Sequence, residues 1–125
     1  MDIANLNTMK AADEGAWLEL KHPATGEKLG ASIKLAGADS AIFRNKKREI
    51  SNRRINAKSP ATIEQIESEG LELLASCVID WGKLQINGAT PTDAKAVFSE
   101  YAWIKEQADE FIGERANFLA SPAKG

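Results

Sequence analysis

Between Ala16 and Gly37 the apolar residues fall on every second position, and no other feature narrows the fold as much. In 16-AWLELKH-22, Ala16, Leu18 and Leu20 alternate with Trp17, Glu19 and Lys21. In 29-LGASIKLAG-37, Leu29, Ala31, Ile33 and Leu35 share one face. A period of two is that of a half-buried strand. The runs are joined by Pro23-Ala24-Thr25-Gly26-Glu27, a turn-forming cluster with a glycine available for positive φ. Together they predict a β-hairpin over about 16–36. A lone hairpin is marginal in water, so it must pack on helices or pair with a further strand.

After Gly37 the period changes. Asp39 or Ser40 is a helix N-cap, and a helix over about 39–57 follows with few apolar residues: Ile42, Phe43, Ile50 and Ile55. Ser59-Pro60 breaks it. Thr62-Ile63-Glu64-Gln65 has the form of a capping box, and Ile63, Ile66, Gly70, Leu73, Cys77 and Trp81 then recur every three or four residues. This predicts a helix over about 62–81, closed by Gly82. A linker with an Asn87-Gly88 turn leads to Thr90-Pro91-Thr92-Asp93, the predicted start of a last helix over about 91–119. Val97, Tyr101, Ile104, Ala108, Phe111, Arg115 and Phe118 form its main row. The expected fold is α+β, a hairpin followed by three helices, with helix dominant. Residues 1–14 lack periodicity and read as a flexible arm, 15–120 as a single domain, and 121–125 as a frayed tail.

Charge divides the chain more sharply than its net of -2 suggests. Residues 1–43 carry a net -2, residues 44–58 a net +6, and residues 59–125 a net -6. The middle block, 44-RNKKREISNRRINAK-58, can contact nucleic acid, a protein, or water. Arg44, Lys47, Arg48, Arg54 and Lys58 fall roughly on one side at helical spacing, which would suit a row of phosphates. No aromatic residues interleave with them for base stacking, apart from Phe43 at the edge. The acidic remainder would repel a duplex and can itself satisfy the block, within the chain or in an identical subunit. That favours a protein-facing or solvated surface over nucleic acid.

Motifs for catalysis are missing. His22 is the sole histidine and Cys77 the sole cysteine, so zinc spacings and an internal disulfide are excluded. Neither GxxxxGK[ST] nor GxGxxG occurs, and no Ser or Cys has a nucleophile context. The carboxylates from Glu64 to Glu114 fall on predicted polar helix faces, with Asp80 beside Trp81 the one to check for burial. A non-enzyme without a cofactor is expected. No apolar run reaches the ~18 residues of a membrane span, and the N-terminus lacks a secretory pattern, so a soluble intracellular chain is expected. The last helix has more apolar surface than one neighbour needs: Trp103, Phe111, Ile112, Phe118 and Leu119 extend around it, which suggests a partner or self-association.

Three stretches taken together resemble the small tail assembly chaperones of long-tailed phages and prophages. They are 17-WLELKHPATGEKLGASIKLAGADSAIFR-44, 78-VIDWGKLQINGATPT-92 and 101-YAWIKEQADEFIGERANFL-119, and their order and the chain length carry the likeness. The resemblance implies a non-catalytic helper in the cytoplasm of the bacterial host. It would coat the tape measure protein before the tail tube protein polymerises, without a cofactor. Trp17, His22, Gly26, Asp39, Ser40 and Phe43 would set the hairpin-to-helix corner. Trp103, Ile104, Gln107, Phe111 and Phe118 would form the client or self-association surface, with the basic helix facing protein. The alternatives are a small nucleic-acid-binding factor using 44–58, and a structural virion component such as a head–tail joining protein.

Overall fold

The structure, a computed structural model, describes residues 1–119. The elements run α1 (Thr8–Glu14), β1 (Ala16–Lys21), β2 (Lys28–Leu35), α2 (Ala41–Ile55), α3 (Ile63–Ser76), β3 (Val78–Gly82), α4 (Ala94–Glu100) and α5 (Ala102–Gly113), with short 3-10 turns at Ala4–Leu6 and Arg115–Asn117. The expected α+β class, with its hairpin ahead of dominant helices, is observed. Residues 121–125, read as a frayed tail, lie outside the described residues.

The hairpin forms as its alternation requires. β1 pairs antiparallel with β2, Leu18 opposite Ile33 and Trp17 opposite Lys34. At the turn the Nδ1 atom of His22 accepts from the Ala24 and Thr25 amides at 3.0 and 3.2 Å. Its backbone closes on Glu27 and Gly26, so the histidine is a turn residue. One sheet face, Leu18, Leu20, Ile33 and Leu35, joins Leu74, Cys77, Val97, Phe98, Ile104, Ala108 and Ile112 in a single core. The other face carries Trp17, Glu19, Lys34 and Asp80.

Two helix predictions are corrected. The helix expected over 62–81 stops at Ser76, and β3 follows, pairing antiparallel with β2 in the order β1-β2-β3. Cys77 caps the helix in right-handed conformation, its carbonyl accepts from the Ala36 amide at 2.8 Å, and the chain turns alongside β2. Val78, Ile79 and Trp81 suit an extended backbone, and the third strand gives the hairpin the pairing it needed. Trp81 opposes Ile33 on the core side, while Asp80 opposes Lys34 outside and is exposed. Gly82 is therefore a strand residue, opposite Ser32.

The helix expected over 91–119 is two helices, starting at Ala94 under the cap of Asp93 and broken at Tyr101, whose φ is -109° and ψ 81°. A straight helix of that span would be about 43 Å long, more than a small domain is wide. The break lets Val97 and Phe98 share one core with Ile104, Ala108 and Ile112.

The N-terminal stretch expected as a flexible arm contains α1, capped by Asn7 and docked on the β2–α2 corner. Gly37 donates to the Ala12 carbonyl at 3.0 Å, and the Asp13 carboxylate accepts from the Ala41 amide at 2.7 Å. A side chain on Gly37 would collide with Ala12 at 2.9 Å. The remaining local signals form as read. Thr62 and Gln65 make both bonds of the capping box, at 3.1 and 2.8 Å. Asn87 and Gly88 both have positive φ between the paired Ile86 and Ala89, the primed turn that Asn-Gly favours.

Candidate interaction surfaces

The basic block becomes α2, which buries no residue fully. Ser40, itself fully buried, caps it by accepting from the Phe43 amide at 3.1 Å. The corner is fastened by Asp39, whose carboxylate takes two bonds from Arg115, at 2.6 and 3.0 Å. Those bonds hold the Asp39 carboxyl below its ordinary range and raise the Arg115 guanidinium.

Three of the block's seven cations are paired inside the chain. α2 and α3 form an antiparallel helical hairpin, and Arg53 donates both terminal nitrogens to the Glu72 carboxylate at 3.0 Å each. Lys46 reaches Glu49 at 3.0 Å and Glu72 at 3.5 Å, and Arg54 bonds Glu69. Glu69 and Glu72 are mostly covered, with side chains 13% and 25% exposed. The bonds from Arg53 hold Glu72 below the usual carboxylate range. Glu49, ahead of Glu72, raises Lys46. A bidentate arginine with a second cation on the same carboxylate fixes the register of two helices that share little apolar contact. Arg54 therefore belongs to this internal network and not with Arg44, Lys47 and Arg48.

Those three stand at spacing i, i+3 and i+4 and are exposed, with Lys47 two turns from Arg54 along the same side of the helix. Arg44 donates from Nε to the Asp39 carbonyl at 3.2 Å. Among the described residues none of the three is in an ion pair.

The residues expected to form the client surface are used for packing instead. Ile104 is 2% exposed and sits in the core. Trp103, Phe111 and Phe118 pack partly buried against that core, and the Phe111 and Phe118 rings meet edge to face at 5.4 Å. The Gln107 amide clasps the edge of β1, with Oε1 accepting from the Lys21 amide at 3.0 Å and Nε2 donating to its carbonyl at 2.8 Å. α5 packs against β1, α3, α4 and the Arg115–Asn117 turn, which supply the cover for its apolar side.

The apolar side chains left outside lie elsewhere, Ile3, Leu6 and Met9 near the N-terminus among them. Ile55 is 78% exposed, Ile63 75% and Ile66 50%. They occupy the end of the α2–α3 hairpin, where residues 51–60 and 62–67 are all exposed. Ile63, Ile66 and Gly70 follow one face of α3 at i, i+3 and i+7, and a Cβ on Gly70 would meet nothing within 4 Å. Beneath the hairpin end lies an open notch of about 610 Å³ lined by Arg53, Arg54, Lys58, Gln65, Ser68 and Glu69. The sequence held the signal for the isoleucines. Their stripe begins one turn from Ser59-Pro60, farther from the strands than a core of this size extends.

Among the described residues no group of three or more His, Cys, Asp and Glu could hold a metal ion. No helix among them is long and apolar enough to cross a membrane. Cys77 is buried, and burial raises its thiol to about 11. No protein family, no curated protein and no solved structure matches the chain.

Proposed function

We propose that this chain is a non-catalytic assembly factor that binds protein, of the phage tail chaperone kind it resembles in sequence, with the tape measure protein as client and tail tube subunits as its competitors. The observation that carries the reading is the concentration of exposed isoleucine at the end of the α2–α3 hairpin. Ile55, Ile63 and Ile66 are 50–78% exposed there, beside a helix face opened by Gly70. An apolar row at i, i+3, i+7 is how one helix receives the apolar side of another. The ion pairs behind it hold the two helices without filling that row. Binding through such a row is reversible, and many copies along one long client gain avidity. The client surface then lies on α3 and the end of α2, and Trp103, Phe111 and Phe118 support the fold beneath.

The test is co-expression with the tape measure protein. Ile63→Asp with Ile66→Asp should abolish co-purification while the thermal midpoint stays within a few degrees, because both positions are exposed. Full retention of the complex would sink the reading. Purified particles should lack the protein; finding it there at fixed stoichiometry would favour a structural virion component.

The nucleic-acid reading draws on the exposed face of Arg44, Lys47 and Arg48. It is weakened because Lys46, Arg53 and Arg54 already hold carboxylates, leaving few cations for phosphates. Binding to duplex DNA with a steep salt slope, lost in Lys47→Glu/Arg48→Glu, would establish it.

A further inference from the structure

We infer that copies of this chain bind one another, the basic face of α2 on one copy meeting the acidic face of α5 on the next. The inference starts from two stripes with the same spacing and opposite sign. On α2, Arg44, Lys47 and Arg48 stand at i, i+3 and i+4; on α5, Glu106, Asp109 and Glu110 stand at i, i+3 and i+4. All six are exposed, and among the described residues none is in an ion pair. The contrast with the other cations of α2 is the argument. Lys46, Arg53 and Arg54 each find a carboxylate on α3, so within α2 the cations divide into a paired set and an open one.

The flanking residues fit the same contact. The α2 face continues through Ser51 to Ile55, 78% exposed. The α5 face runs from Ala102 to Gly113, small residues at both ends, and a Cβ on Gly113 would meet nothing within 4 Å. Each face spans twelve residues, about 18 Å of helix. Laid antiparallel, Ile55 falls on Ala102, Lys47 and Arg48 on Glu110 and Asp109, and Arg44 beside Gly113 and Glu114. Laid parallel, Arg44, Lys47 and Arg48 can meet Glu106, Asp109 and Glu110 one for one, so charge pairs the two faces in either direction. Both stripes start from one corner, where Ala38 donates to Ile112 at 3.0 Å and Asp39 holds Arg115. A two-fold axis there forms the contact twice, as an isologous dimer does. The apolar row of Ile63 and Ile66 stays free for a client, and Ile55 at the end of α2 is covered by the second copy.

An interface of exposed charges is sensitive to salt, because the Debye length falls from about 14 Å at 0.05 M to about 4 Å at 0.5 M. Light scattering should show a dimer at 0.05 M NaCl and a monomer at 0.5 M. Lys47→Glu/Arg48→Glu should be monomeric at both, as should Asp109→Lys/Glu110→Lys. All four positions are exposed and, among the described residues, unpaired, so the folded circular dichroism spectrum should not change. The decisive arm mixes the two variants. The first has two acidic faces and the second two basic ones, so neither pairs with itself and the mixture should restore a one-to-one dimer. A wild type monomeric at low salt, a dimer that persists at 0.5 M, or a mixture that stays monomeric would each overturn the inference. So would a basic-face variant that loses DNA binding but keeps self-association.

Discussion

Gln107→Ala should loosen the edge of the sheet by an amount that can be worked out from the clasp. β1 is an edge strand, and its last residue, Lys21, has both backbone polar groups bonded to the Gln107 amide, at 3.0 and 2.8 Å across 86 residues of sequence. Each neutral hydrogen bond contributes about 0.5–1.5 kcal/mol net. Lys21 is exposed, so water reaches the freed groups and the two bonds together come to about 1–2 kcal/mol. With a urea m-value of about 1.5 kcal/mol/M, the midpoint should fall by about 1 M. Gln107→Glu keeps an acceptor for the Lys21 amide but sets an anion against its carbonyl, and should be no more stable than the alanine variant. Glu100→Ala, exposed and unpaired among the described residues, is the control. Amide exchange provides a local reading: the Lys21 N–H should lose protection in Gln107→Ala while the ladder around Leu18, paired with Ile33, keeps most of its own. Unchanged protection at Lys21, or a midpoint shift no larger than the control's, would refute the reasoning.

Other perturbations have equally definite outcomes. Gly82→Ala would place a Cβ 2.2 Å from Ser32 Oγ and 3.0 Å from the Trp17 ring. It should lower the thermal midpoint and shift tryptophan emission, with most of the stability recovered in a Ser32→Ala background; an unperturbed midpoint would show that the Trp17 ring does not lie over Gly82. Asp39 and Glu72 both titrate below their ordinary range. Their stabilisation is therefore complete above the unfolded carboxylate value of about 4 and is lost as pH falls through the lower folded values. Asp39→Asn and Glu72→Gln should accordingly be destabilised at pH 7 and converge on the wild type by about pH 2; a constant gap would contradict the ion pairs as the cause. Cys77, buried and raised to about 11, should resist a thiol reagent at pH 8 and react at once in urea. Phe98→Ala, at a core position 1% exposed, should cost about 3–5 kcal/mol by denaturant titration.

What could be read from the sequence was what is decided locally. The alternation of 16–21 and 28–35, the capping box at Thr62 and the Asn87-Gly88 turn each depend on a few neighbouring residues, and each has formed. The misreadings concern partners far away along the chain. Val78-Ile79-Asp80-Trp81 continues a helical spacing as well as it fills a strand, and only β2, more than forty residues earlier, selects the strand. The break at Tyr101 has no proline or glycine to announce it and follows from the width of the core. α1 is too short to show a period and is held by Gly37 and Asp13 contacts that no local pattern reveals. The apolar residues of α5 pack on the core through contacts with β1 and α3, which lie far away along the chain.

The same distinction resolves the basic block. Seven cations in fifteen residues look like one surface when the chain is read in line, but the six on α2 divide into a paired set and an unpaired one, and Lys58 lies beyond the helix. The inner set, Lys46, Arg53 and Arg54, has carboxylates at fixed distance on α3, which is why a helix with no fully buried residue can hold its place. The outer set, Arg44, Lys47 and Arg48, contributes no ion pair to the fold among the described residues. Reversing charge on each set therefore separates structure from recognition. Arg53→Glu should unfasten the α2–α3 hairpin and lower stability even at the concentrations where the protein is monomeric. Lys47→Glu should leave the monomer's stability nearly unchanged and act only on what the protein binds. If Lys47→Glu destabilised the monomer as much as Arg53→Glu, the two sets would be one electrostatic unit. The outer stripe would then have no claim to be an interface.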